Sequence, residues 1–186
     1  MRRRVFVAIN LPDKVKKQLS SFQLKWQELP CRWTKKENLH ITLEFLGYLT
    51  DEELVELCQK TRQIASEKPA FTIKLTRICY GPTDKKPARS LSAQRSSRRS
   101  PRLSRGGAPR MLWVVGDKIK EFGITPHITL GRLKMLQFRK MEPEERPEIN
   151  EDIDLSFEVN SIEVMESRLK NSQPDYTILE SCPLKG

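Results

Sequence analysis

Two histidines are all that this 186-residue chain contains, and its four cysteines, Cys31, Cys58, Cys79 and Cys182, include no C-x-x-C pair. Structural zinc sites are built from close-spaced ligand pairs, so no metal centre is expected, and no other cofactor is implied. Long apolar runs are missing too. Nothing approaches the roughly 18 residues that would span a bilayer. The chain opens Met1-Arg2-Arg3-Arg4, with only Val5 to Ile9 apolar before Asn10 and Pro12, which does not read as a secretory leader. The expectation is a soluble, cytoplasmic protein with reduced thiols and no membrane contact.

Acids are absent from one segment. Residues 85 to 110 hold nine Lys or Arg and no Asp or Glu; of 34 bases against 24 acids in all, that leaves 25 against 24 elsewhere. A basic surface favours polyanions, but the near-neutral remainder says little about partners. The segment is dominated by Ser, Arg, Pro and Gly, and Leu91 and Leu103 are its only large apolar side chains. That is too little apolar area to offset the entropy of ordering, so residues 84–110 read as a mobile basic loop or insertion.

What is present is periodic. Val5 to Ile9 reads as a buried strand, and Leu11, Val15, Leu19, Phe22, Trp26 and Leu29 recur at helical spacing until Pro30. An extended Arg32-Trp33-Thr34 and a strand from Leu39 to Leu46, closed by Gly47, come next. Thr50 with Glu53 forms a capping box for a second helix through Leu54, Leu57, Thr61 and Ile64. Phe71, Ile73 and Leu75 alternate with polar residues as a half-buried strand does. Further strands are expected at Met111–Val115, His127–Leu133, Ile153–Val159, Ile162–Met165 and Tyr176–Leu179, with 142–154 a solvated acidic connector. The order predicts one α+β domain over residues 1–186, with antiparallel sheets.

Both histidines open the same tetrapeptide, His40-Ile41-Thr42-Leu43 and His127-Ile128-Thr129-Leu130. A duplicated structural unit explains this repeat far better than chance. On a strand, His40 and Thr42 share one face while Ile41 and Leu43 share the other, and the second motif behaves alike. If the apolar faces pack on helices, two imidazoles and two hydroxyls are free to meet. Such a group suits metal-free cleavage of a phosphodiester. One neutral imidazole takes a proton from water, one imidazolium protonates the leaving oxygen, and Thr hydroxyls donate to the phosphate. Arg132 adds a candidate phosphate clamp, although strict alternation puts it on the face opposite His127 unless the strand bends.

The motifs Asn38-Leu39-His40-Ile41-Thr42-Leu43-Glu44-Phe45-Leu46-Gly47 and Pro126-His127-Ile128-Thr129-Leu130-Gly131-Arg132 resemble those of the two-histidine phosphoesterase superfamily. Within it the chain is most similar to the RNA 2′,3′-cyclic phosphodiesterase branch, historically called 2′-5′ RNA ligase. The Arg4–Ile9, Tyr80-Gly81-Pro82, Met111–Gly116 and Tyr176–Leu179 segments share the likeness. The resemblance implies a bilobal fold, two antiparallel sheets flanked by helices around a central cleft. It also implies opening of a terminal RNA 2′,3′-cyclic phosphate to a 2′-phosphomonoester, with His40 as proton donor and His127 as proton acceptor, and 2′-5′ ligation as the reverse reaction; a monomer is expected. Thr42, Thr129 and Arg132 would bind substrate. One departure stands out: only residues 117–126 separate the Trp113-containing strand from the second motif, where such proteins place a long helix. The competing readings are an RNA-binding module with a degraded site, and a phosphodiesterase for small cyclic nucleotides.

Overall fold

A computed structural model of the chain describes residues 2–81, 90–94, 127–170 and 173–186. Its strands are β1 (Arg3–Asn10), β2 (Cys31–Trp33), β3 (His40–Leu49), β4 (Phe71–Gly81), β5 (Ser90–Gln94), β6 (His127–Leu133), β7 (Asn150–Val159), β8 (Ser161–Lys170) and β9 (Gln173–Pro183). Helices α1 (Asp13–Gln23) and α2 (Asp51–Ser66) lie in the first half, and the short α3 (Met135–Lys140) follows β6. Two antiparallel sheets result, β3-β1-β8-β9 and β6-β5-β4-β7, with β2 also on β6. They are joined edge to edge into one nine-stranded sheet, among the described residues through a single residue pair, Ile41 with Ile128. The architecture is α+β.

The unbroken apolar run of β1 follows from its place between β3 and β8, buried on both faces. Val5, Val7 and Ile9 join the main core with Val15 and Leu19 of α1 and Leu57 and Ala65 of α2. Phe6 and Ala8 point the other way, into a small cluster with Met165 that Tyr176 adjoins. The Thr50 capping box forms as expected. The Thr50 hydroxyl accepts from the Glu53 amide, and the Glu53 carboxylate accepts from the Thr50 amide at 2.7 Å.

Several elements depart from the sequence pattern. The first helix leaves α geometry after Gln23 and tightens into a 3-10 turn over Leu24–Trp26, where the buried stripe lapses and Leu24 is exposed. Gly47 does not end β3. It takes φ +80° inside the strand, opposite Val5, where a bulge needs a left-handed residue. The loop expected over 84–110 is a strand at Ser90–Gln94, because β4 and β6 offer ladders on both its edges. The acidic connector is shorter than expected, since β7 begins at Asn150. Its outward Asp152 and Asp154 pair with Arg77 and Lys74 on β4. The rest of the basic segment, the Met111–Val115 strand and the 117–126 link lie outside the described residues.

Candidate active site

The two motifs sit on the facing edges of the two sheets, at the place where the sheets join. Among the described residues Ile41 and Ile128 are the pair that joins them, and both are buried in the core, as are Leu43 and Leu130. That commits His40, Thr42, His127 and Thr129 to the opposite face, where all four are half-buried. One step to either side of the isoleucine pair, antiparallel order sets His40 toward Thr129 and Thr42 toward His127.

Each motif strand carries a β-bulge at the same point. In β3, Ala8 pairs with Thr42 and Val7 with Glu44, so Leu43 is the extra residue. In β6, Ser92 pairs with Thr129 and Leu91 with Gly131, so Leu130 is the extra residue. A bulge resets the alternation of side chains. The residue five places after each histidine therefore returns to the histidine's own face. In β6 that residue is Arg132, exposed between buried Gly131 and Leu133. The strand bend that the Arg132 assignment required is this bulge. In β3 it is Phe45, 66% exposed, with its ring 5.9 Å from that of Phe6.

The Arg132 side of the site is braced from β2 and α1. The carbonyl of bulged Leu130 accepts from the Thr34 amide at 2.9 Å and from Gln23 Nε2 at 3.0 Å, and the same Gln23 amide donates to Thr34 O at 2.9 Å. Gly131 is required beside it, since a Cβ there would collide with Cys31 Sγ and the Trp33 ring.

His40 is held from three directions. Its Nδ1 lies 2.7 Å from the carbonyl of Asn38, which can only accept, so the proton sits on Nδ1. Nε2 is 2.9 Å from the Thr42 hydroxyl, which donates to a neutral ring and accepts from a charged one. The rings of Phe6 and Tyr176 each stand 5.1 Å away, Tyr176 edge-on. Asn38 is itself buried and donates from Nδ2 to Pro174 O at 2.8 Å, while Lys16 Nζ donates to the neighbouring Glu37 carbonyl at 2.9 Å.

Burial pushes the His40 pKa below the usual histidine range. The Asn38 hydrogen bond opposes this, and the positive charges of Lys16 and Arg132, with the nearby His127 ring, add to it. In the free chain His40 is therefore neutral at pH 7. A depressed histidine contributes stability that is present above its unfolded pKa, about 6.5, and is lost as pH falls through the folded value. An NMR titration of the free chain is expected to give His40 a midpoint below about 6.5 that rises in Lys16→Met. A wild-type midpoint at or above that value would contradict the burial of a neutral ring.

The residues named from sequence thus occupy one face at one seam. Phe45, Arg32, Asn38 and Tyr176 were not given roles from the motif chemistry. The signal for Phe45 was available, since it stands in the first motif where Arg132 stands in the second. Arg32 became visible only through the β2–β6 pairing. Among the described residues, no group of three or more His, Cys, Asp or Glu is gathered as metal ligands. Two imidazoles, two hydroxyls and a guanidinium on one face can hold a tetrahedral anion and move protons on either side of it.

Residues 9–91, which include the first histidine motif, match the family model of LigT-like phosphoesterases. Proteins named RNA 2′,3′-cyclic phosphodiesterase are similar over nearly the full length. That of Methanocaldococcus jannaschii is 28% identical, covering 95% of this chain and 98% of its own. That of Thermus thermophilus is 29% identical, covering 98% and 91%. The fold matches the crystal structure of TT0787 of Thermus thermophilus with a TM-score of 0.74, at 22% identity and 98% coverage of both chains. The paired motifs therefore stand on a shared fold and a shared sequence frame, and the chain is an enzyme similar to the LigT-like phosphoesterases.

Proposed function

We propose that this enzyme hydrolyses the 2′,3′-cyclic phosphate at the end of an RNA to a 2′-phosphomonoester, using His127 as base and His40 as acid. His127 takes a proton from water as the water oxygen bonds to phosphorus. The bond from phosphorus to O3′ breaks, and His40 gives its proton to O3′. Thr42, Thr129 and Arg132 donate to the non-bridging oxygens, where charge builds. If a 5′-hydroxyl replaces water, the same two transfers form a 2′-5′ linkage. Phe45 offers an exposed ring for a base to stack on.

The observation that carries this reading is the seam itself, which sets both His-x-Thr faces on one side of the sheet with Arg132 brought round by the bulge. The neutral state of free His40 is compatible with an acid role. A bound phosphate anion offsets the positive charges of Lys16 and Arg132 that help depress its pKa, so the proton is taken up with the substrate. The names of the relatives support the substrate. The proposal extends to chemistry without a metal, in a cytoplasmic monomer.

An RNA ending in a cyclic phosphate, incubated with the enzyme in excess EDTA, is expected to yield a 2′-monoester at the rate seen without chelator. A 3′-monoester as product would contradict the assignment of leaving oxygen. Activity lost in EDTA and restored by a divalent ion would contradict the metal-free mechanism.

A further inference from the structure

β2 runs antiparallel along the same edge of β6 that meets β3, with Cys31, Arg32 and Trp33 opposite Leu133, Arg132 and Gly131. Residues directly opposite on antiparallel strands point to the same face, their Cα atoms about 5 Å apart. Arg32 and Arg132 are thus side by side on the histidine face, and both are exposed. Like charges directly opposite one another destabilise a sheet. Among the described residues neither arginine makes an ion pair or hydrogen bond with an acid. Elsewhere on the same sheets opposite charges are matched, as in Lys74 with Asp154 and Arg77 with Asp152.

A cyclic phosphate has only two non-bridging oxygens. Thr42, Thr129 and the two-pronged Arg132 can donate to both without Arg32. Arg32 is one strand over from Arg132, and the closest further anion on an RNA end is the phosphodiester on the 5′ side of the terminal nucleotide.

We infer that Arg32, set beside Arg132 by the β2–β6 pairing, binds the phosphodiester preceding the cyclic end and makes the enzyme prefer an RNA chain to a cyclic mononucleotide. The inference rests on the proposed cyclic phosphodiesterase activity and assigns part of its substrate selection. Trp33, packed on Gly131, and Gln23, bonded to carbonyls of Thr34 and Leu130, hold the backbone register that sets the two arginines side by side.

The test compares kcat/KM for adenosine 2′,3′-cyclic phosphate with that for an adenylyl-adenosine dinucleotide ending in the same cyclic phosphate, in wild type, Arg32→Ala and Arg32→Lys. Arg32→Ala is expected to lose about tenfold more on the dinucleotide than on the mononucleotide, the size of one charge-assisted contact. Its salt dependence on the dinucleotide should flatten by about 0.7 in log-log slope. Arg32→Lys should keep that slope while recovering only part of the rate, since it keeps the charge and loses the fork. Equal losses on both substrates, or no loss on the dinucleotide, would overturn the inference while leaving the activity standing. A wild-type enzyme inactive on both would overturn the activity, and the inference with it.

Discussion

Alanine at His40 or at His127 is expected to lower turnover of a cyclic phosphate by about 10² to 10⁴, the range for one acid or base. The two losses should not multiply in the double variant, because each proton transfer is useful only when the other is available. The side chains differ in what else they do. His40 packs between Phe6 and Tyr176 and is hydrogen-bonded at both nitrogens, so its removal also opens space in a half-buried cluster. Thermal melts of the variants separate the effects. Folded proteins with little activity are expected, and a His127→Ala enzyme that keeps the wild-type rate would end the acid-base assignment.

Arg132→Ala is the second large effect, expected to cost about 10² to 10³ in kcat, as for the loss of one preorganised donor to a developing charge. Arg132→Lys should restore little of it, because a lysine cannot present two parallel donors to a phosphate. The site reaches Arg132 only through the Leu130 bulge, whose carbonyl is tied to Gln23 and Thr34. Removing the Gln23 carboxamide should therefore mimic a fraction of the Arg132 loss. Rates of Arg132→Lys equal to wild type would show that charge alone suffices at this position.

How much of this was legible beforehand depends on how local each determinant is. β1, α1, α2 and β4 announced themselves through an apolar run, a helical stripe, a capping box and an alternation, all encoded within a few residues. β5 could not be read this way. Ser90-Leu91-Ser92-Ala93-Gln94 holds one large apolar side chain, and its strand state depends on ladders from β4 and β6. The histidines and threonines were legible because the tetrapeptide repeats. Arg132 was visible, but the face it occupies was not, since a bulge shifts parity without altering the spacing in sequence. Phe45 reads as one more core residue of an apolar strand until Leu43 is seen to be the residue left over. Arg32 needed a pairing between segments far apart in the chain.

The junction of the two sheets has a symmetry consequence. A local two-fold axis through the Ile41–Ile128 pair carries His40 toward Thr129 onto His127 toward Thr42, and carries each Leu bulge onto the other. A truly two-fold site could not distinguish the ends of its substrate: either imidazole would serve as acid, and either ribose oxygen would depart. The fifth position after each histidine breaks that equivalence, being an apolar ring in one half and a cation in the other. Under the proposed assignment, the inequality of Phe45 and Arg132 seats a nucleotide one way round. The regiochemistry of ring opening is then set by two residues that take no part in proton transfer.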